Sequence, residues 1–497
     1  MANQKFFNLS GGVNSKMSPL IIQDTECEQI LNYNLDTVGA LTKRRGYNTP
    51  LTHTNLASGK EIRGLFYYTN TATSAETTSV VVANNSADTQ SVIFYLSTLT
   101  WTNSKTNDTA FGSFGNLEKA RFAVFLDYLF RVNGDDVVAT SINVNGAAWG
   151  TTNAPGTIEP AFIAIFQDRV YVANDRASTP DGSRVFFSSL PSAGAITWNT
   201  ATDFFDVNPD DGDEITGLEN NGNRLLIFKK KAMYRWTFGQ TEPDRIIGVG
   251  TQSQECIKTN FDLGITFFAN AKGVYASEAG GRPKFISRKI QKWFDNLAST
   301  DPTYFAGEVD EDHYYLYISD EITIDDRTYT NVMVVYTISL DAWVIYTLGV
   351  PVRIMAHLVR GDIDEIHFGS NNSRTYRFNN GNNDEILVGS TDTNEPIAAE
   401  ILFKEQMLSF PDKAKLNNMY VVAKQHNNAN VFAYLDRAED PVSLGNLTKR
   451  INAFPLPKKN VNSIQLFISD NSQTISQIEG YDVEYEPTNV RDRKPQS

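Results

Sequence analysis

The sequence predicts an all-β protein whose main body is a β-propeller of about six blades, with an N-terminal arm and a C-terminal β-sandwich. Three observations carry this expectation. Short runs rich in Val, Ile, Phe and Tyr are broken by Gly, Asn, Asp and Pro, as strands and their turns are. One such unit repeats. Ala123-Val124-Phe125-Leu126-Asp127-Tyr128-Leu129-Phe130-Arg131-Val132-Asn133 aligns with Ala164-Ile165-Phe166-Gln167-Asp168-Arg169-Val170-Tyr171-Val172-Ala173-Asn174 at an offset of 41 residues, and both read as strand, tight turn at Asp, strand. Related segments around Asn223, Gly264, Asp312 and Asp364 continue the series. Intervals of roughly 40 to 50 residues between such units are the signature of propeller blades, whereas alternation alone is equally compatible with a sandwich or unrelated hairpins.

Within one interval, four strands can be read: Phe162 to Phe166, Arg169 to Ala173, Arg184 to Ser188 and Phe204 to Val207. Residues 59–390 are assigned to the propeller on this basis. Residues 1–58 precede the repeats and are expected to form an arm that docks on a neighbouring ring, because ordering so long a segment is costly unless a partner receives it. Residues 391–488 read as the sandwich, with strands at Ala399 to Phe403, Asn418 to Ala423, Asn430 to Leu435, Ser463 to Ile468 and Tyr481 to Tyr485. Ile464, Leu466 and Ile468 alternate with polar residues, as one face of an antiparallel sheet does. Residues 489–497 read as a polar tail.

The 497 residues include 41% hydrophobic and 21% charged, a globular composition long enough for more than one domain. Cys27 and Cys256 have no partner at metal-ligand or redox spacing and read as free thiols. Met1–Ser10 shows no basic region leading into an apolar stretch, so no secretory signal is expected, and no membrane insertion either. A net charge of −14 argues against wrapping nucleic acid, which requires Lys and Arg on phosphates, yet suits a wall along which DNA slides without being gripped.

The N-terminal order Gly11-Gly12-Val13-Asn14, Ser18-Pro19, Glu26 and Glu28 with Asn32, then Gly39, Leu41 and Lys43-Arg44-Arg45-Gly46-Tyr47 resembles the opening of the tail hub or nozzle proteins of short-tailed bacteriophages, a family that includes the packaged-DNA stabilisation proteins. Ser183-Arg184-Val185-Phe186-Phe187-Ser188 through Leu225-Leu226-Ile227-Phe228-Lys229-Lys230 is similar to one blade of that family, and Gly480 to Tyr485 before Pro487 and Arg491 to its ending. The resemblance implies a structural, non-enzymatic virion protein of the tail, assembled in the host cytoplasm. It implies a homohexameric ring that contacts the head-to-tail adaptor ring and other tail proteins (fibres, plug or needle). Such a ring retains the packaged genome and lets double-stranded DNA pass non-specifically. Gly11, Gly12, Pro19, Lys43, Arg44 and Arg45 are then candidate ring-interface residues.

Neither a zinc-protease His pair, a nucleophile elbow nor a phosphate loop is present, and no catalytic residue, metal or cofactor is assigned. His313 and His367 fall in strand-like segments and read as structural. The stretch from Asp206 to Glu214 packs acidic groups into one turn. Its Asp206, Asp210, Asp211, Asp213 and Glu214 are candidates for a channel-facing wall, or else for a solvated rim, and the turn departs from a calcium loop at Gly212 and Gly217. Lys229-Lys230-Lys231 with Arg235 reads as a solvated hairpin tip or a DNA- or partner-facing patch. Trp198, Trp236, Trp293 and Trp343 are expected to fill cores or blade interfaces. The alternative to a structural ring subunit is a receptor- or glycan-binding tail propeller, with or without glycoside hydrolase activity, which needs an aromatic floor and convergent carboxylates at one propeller face.

Overall fold

The computed structural model describes residues 2–35, 39–49, 59–69, 77–84, 91–97, 100–105, 119–134, 137–141, 153–156, 158–177, 180–360, 363–388, 391–410 and 413–487. The chain builds a propeller and a sandwich that share one continuous sheet. Among the described residues the propeller has seven blades, one more than the repeat predicts. Their innermost strands are Ile62–Thr69, Arg121–Phe125, Pro160–Phe166, Ile215–Asn220, Lys258–Asn260, Ala306–Val309 and Ile354–Arg360. Each packs on the next, and the last packs on the first, so the ring is closed. The extra blade is the first, Ile62–Thr69, Thr77–Asn84, Ser91–Ser97 and Thr100–Lys105. It lacks the strand, turn, strand unit through which the others are recognised.

That unit is the hairpin between the first and second strands of a blade. In the third blade, Pro160–Phe166 pairs antiparallel with Arg169–Asp175 across Gln167 and Asp168, whose φ angles of 46° and 55° make the two-residue turn that matches strand twist. Leu126 and Asp127 repeat it in the second blade, with φ of 50° and 59°. The remaining strands of the third blade, Asp181–Phe187 and Phe204–Asp206, lie where the alternation places them. Aromatic side chains fill the gaps between blades: Trp236 of the fourth stacks on Phe205 of the third at 4.4 Å. Trp293 and Trp343 are buried and Trp198 half-buried. Cys27 and Cys256 are free and buried.

The sandwich uses all five of the expected strands. One sheet holds Ala399–Phe403, Ser463–Asp470 and Asn430–Leu435, the other Ala414–Gln425 and Gln477–Pro487. Their facing residues, Phe403 and Tyr481 among them at 4.9 Å, belong to one core. Residues 489–497, expected as a tail, lie outside those described.

The N-terminal segment corrects the expectation of an arm offered to a neighbour: its described residues are spent within the chain. Ala2–Phe6 pairs with Gln477–Pro487, and Glu26–Leu31 lies between Ala342–Thr347 of the sixth blade and Ala399–Phe403 of the sandwich, fusing the two bodies into one sheet. Asn48 exchanges backbone hydrogen bonds with Arg377, completing the seventh blade. Gly12, at φ 70°, and Gly46 pass so close to the backbones of Trp343 and Asn383 that a Cβ at either position would overlap them.

Lys43 and Arg44, candidates for a ring interface, are likewise buried. Lys43 donates to the Ser472 carbonyl at 2.8 Å and lies 3.4 Å from Asp470. Arg44 grips both oxygens of Asp384 at 2.8 and 2.6 Å and donates to the Thr347 carbonyl and to Asn32 Oδ1. Asn32 in turn donates to Thr347 Oγ1 and the Ala398 carbonyl. One guanidinium thus ties the N-terminal segment to the sixth blade and to the strand Asn383–Val388, and Asn32 carries the link on to Ala398 at the start of the sandwich. Of the six ring-interface candidates, Arg45 is exposed and Gly11 and Pro19 are half-buried. Truncating Arg44 to Ala leaves Asp384 buried without its cation and is expected to lower stability by about 3–5 kcal/mol. Arg44→Lys, which keeps charge but not the fork, is expected to recover only part of that loss. Urea unfolding of the three proteins checks both.

Candidate functional site

The innermost strands surround a cavity of about 380 Å³ on the propeller axis, lined among others by Phe66, Phe122, Ile163, Ile165, Leu218, Phe261 and Ile354. Inner strands of a propeller are apolar because they are covered on both faces. Here several also carry a charge: Arg121 in the second blade, Glu219 in the fourth, Lys258 in the fifth and Glu308 in the sixth. The axis brings them together with Lys119 and Glu255.

These charges segregate into two groups. Glu255 lies 2.9 Å from Arg121 and 3.8 Å from Lys119 and accepts from Ser253 Oγ. Burial opposes its charge, but the two cations outweigh it and hold the carboxyl at about 2. Lys119 also donates to the Arg353 carbonyl at 2.8 Å, and Arg121 to the Ala161 carbonyl with its guanidinium 4.4 Å above the Phe162 ring. In the other group, Lys258 pairs with Glu308 at 2.9 Å and acts on Glu219 at longer range. Burial pushes Glu219 up to about 7 in spite of Lys258 and hydrogen bonds from Thr259. Two cations serve one carboxylate in the first group, and one cation serves two carboxylates in the second.

None of these axial residues was singled out by its sequence. The available signal is weak: a single charge inside or beside an otherwise apolar inner strand, as in Ile215-Thr216-Gly217-Leu218-Glu219.

The acidic turn from Asp206 to Glu214 lies at the opposite end of the blades from the Gln167-Asp168 type of hairpin, because it links the outermost strand of the third blade to the innermost of the fourth. It is partly neutralised from within. Asp206 pairs with Arg184 at 2.7 Å, and Asp213 accepts the Lys231 backbone N–H. The buried Lys229 ammonium donates to Asp211 at 2.7 Å, to the Asn208 carbonyl at 3.1 Å and to Ser183 Oγ at 3.2 Å. A lysine therefore occupies the position that a calcium reading of this turn reserves for the ion. The acidic turn and the basic run Lys229-Lys230-Lys231 are two halves of one feature, with Asp210 and Glu214 on its exposed side. Among the described residues no group of three metal-ligating side chains converges. His313 is paired with Asp310, and His367 lies between Tyr67 and Glu365.

No family model matches the chain, and neither does any curated protein. Among solved structures, similar folds include YCF48 bound to a D1 peptide, at 10% identity over 67% of this chain and 97% of that one, with a TM-score of 0.40. An ancestral GH74 enzyme is similar at 13% identity over 79% of this chain, with a TM-score of 0.44. The matched region spans 53% of that enzyme.

Two substitutions probe these charges. Glu219 has a folded pKa near 7 against about 4.5 unfolded, so its ionisation costs stability progressively as pH rises through that window. Glu219→Gln is expected to melt higher than wild type at pH 8, by the equivalent of roughly 2 kcal/mol, and to converge with it near pH 4. Lys229→Met strands Asp211 and Ser183 and is expected to cost about 1–3 kcal/mol, with calcium giving no rescue. Thermal melts across pH, with and without calcium, check both.

Proposed function

We propose that this chain is a structural, non-enzymatic subunit of the tail hub or nozzle of a short-tailed bacteriophage, acting as one copy of a six-membered ring in the virion. One observation carries the reading. The N-terminal residues that resemble that family, Gly12, Glu26, Asn32, Arg44, Gly46 and Tyr47, converge on the seam that fuses propeller and sandwich. Glu26 pairs with Lys289 and accepts from Asn14, and Tyr47 packs edge-on against Phe368 and Tyr376. The resembling pattern is therefore an architectural one, and its product is a stiff two-part body suited to bearing load in an assembly.

Geometry also supports a ring over a single pore. An axial cavity of about 380 Å³ crossed by ion pairs is the size of a small-molecule pocket. A duplex therefore passes between copies, not through one propeller. The two faces differ as well. Leu190, Phe238, Phe261, Leu263 and Val359 are exposed on the face bearing the inner hairpin turns, and the acidic turn lies on the other. The former suits stacking on the adaptor ring or another tail protein; the latter suits a wall that repels phosphates. Within this reading the acidic wall comes down to Asp210, Asp213 and Glu214, the carboxylates of this turn without a cation among the ion pairs above.

Electron-microscopic class averages of the purified chain, alone and with its adaptor ring, are expected to show closed six-fold rings. A chain that stays monomeric under both conditions and releases reducing sugars from host polysaccharide overturns the reading in favour of a glycan-directed propeller. Asp210→Lys leaves the internal ion pairs intact. In virions that incorporate it fully it is expected to slow DNA ejection at low salt and to be relieved by high salt. An unchanged rate moves this turn to the outer rim.

A further inference from the structure

The axial cavity has the character of a binding site as well as a core. Its volume lies within the small-molecule range, and its wall joins aliphatic and aromatic side chains to charged and amide groups in about equal measure. Phe66 and Phe122 stack at 5.7 Å on one side. Phe261, in the turn after Lys258–Asn260, lines the cavity and is 64% exposed, which marks the mouth on the face of the inner hairpin turns.

The polar groups on that wall are unequally provided for. Arg121 is engaged by Glu255 and the Ala161 carbonyl, and Lys258 by Glu308. Glu219 has hydrogen bonds from Thr259 but, among the described residues, no ion pair of its own. The cavity therefore presents a half-buried carboxylate whose counter-charge is shared. An entering cation completes the pair without displacing an existing one, and aromatic faces favour the same charge.

We propose that the axial cavity binds an organic cation with an apolar stem, an alkyl- or arylammonium group, with Glu219 as its counter-ion and Phe66, Phe122 and Phe261 as the wall around the stem. The cation is either a free amine or a lysine side chain of a partner. Binding is proton-linked. The groups acting on Glu219 are Lys258 and Thr259 of the adjacent strand and Glu308 of the sixth blade; Arg121 and Glu255 share the cavity lining with it, and Lys119 pairs with Glu255 outside that lining. Glu255 stays ionised down to about pH 2, so between pH 5 and 8 Glu219 is the group that titrates. Protonating it removes the counter-ion, and amine affinity falls as pH drops below about 7.

Calorimetric titration of the full chain tests this, with phenethylamine as probe and 2-phenylethanol and 3-phenylpropionate as neutral and anionic analogues. At pH 8 the amine is expected to bind at least tenfold more tightly than the alcohol, with no binding of the carboxylate. At least a tenfold loss is expected at pH 5.5 and in Glu219→Gln. Amine binding that is equal in the variant or independent of pH, carboxylate binding as tight as the amine's, or no amine binding at millimolar concentration overturns the proposal. The pH series and the analogue series on wild type decide the matter even if the variant does not fold. Comparison with acetyl-Phe-Lys-amide assigns the source: tighter binding of the peptide points to a partner's lysine, and tighter binding of phenethylamine to a free amine.

Discussion

The buried pair of Arg44 and Asp384 is the constraint on which the architecture rests. A guanidinium brought out of water must have its donors satisfied, and here Asp384, Asn32 and the Thr347 carbonyl satisfy them from three parts of the chain. A lysine at this position would offer one point charge and could not hold all three. Because Asp384 and Thr347 lie outside the segment that carries Arg44, that segment cannot leave without exposing Asp384, and the sandwich cannot rotate against the sixth blade without breaking the Asn32 contacts. The close pass of Gly46 against the Asn383 backbone, two residues beyond Arg44, brings that side chain up to the neighbouring Asp384.

A second balance operates at the axis. Seven inner strands converge there, and a wholly apolar axis would need side chains matched to a tapering space. Ion pairs instead bridge blades that are not adjacent in the ring, as Glu255 does with Arg121 of the second blade. The arrangement closes the axis to a polymer while leaving a small cavity beside Glu219. The proposed ring contacts and the proposed cation site meet at Phe261, which lies on an exposed propeller face and lines the cavity, whereas Glu219 belongs to the cavity alone.

Much of the fold is legible in the sequence because its units are local. A two-residue turn at Gln167-Asp168 or Leu126-Asp127 pairs strands only a few residues apart, and alternation such as Ile464, Leu466, Ile468 states which face is buried. The first blade escapes the same reading because it lacks the strand, turn, strand unit, with Asp, Asn or Gly at its mark, that identifies the others. The charged clusters were legible as clusters but not as contacts. Lys43-Arg44-Arg45 reads as a basic cluster for a neighbouring ring, and Lys229-Lys230-Lys231 as a hairpin tip, until the fold buries Lys43, Arg44 and Lys229 and leaves Arg45, Lys230 and Lys231 outside.

Sequence alone determined the all-β class, the hairpin units of the blades, the five principal strands of the sandwich and the unpaired state of both cysteines. Each depends on residue type and short-range spacing, which the chain carries wherever it folds. Tertiary structure decided the number of blades, the fate of the N-terminal segment and the partner of every buried charge. Ring closure is set by whether Ile354–Arg360 meets Ile62–Thr69, and Arg44 finds Asp384 across 340 positions of sequence. No local pattern reports such encounters, because a charge has the same spelling whether water or a carboxylate solvates it, and only packing selects between the two.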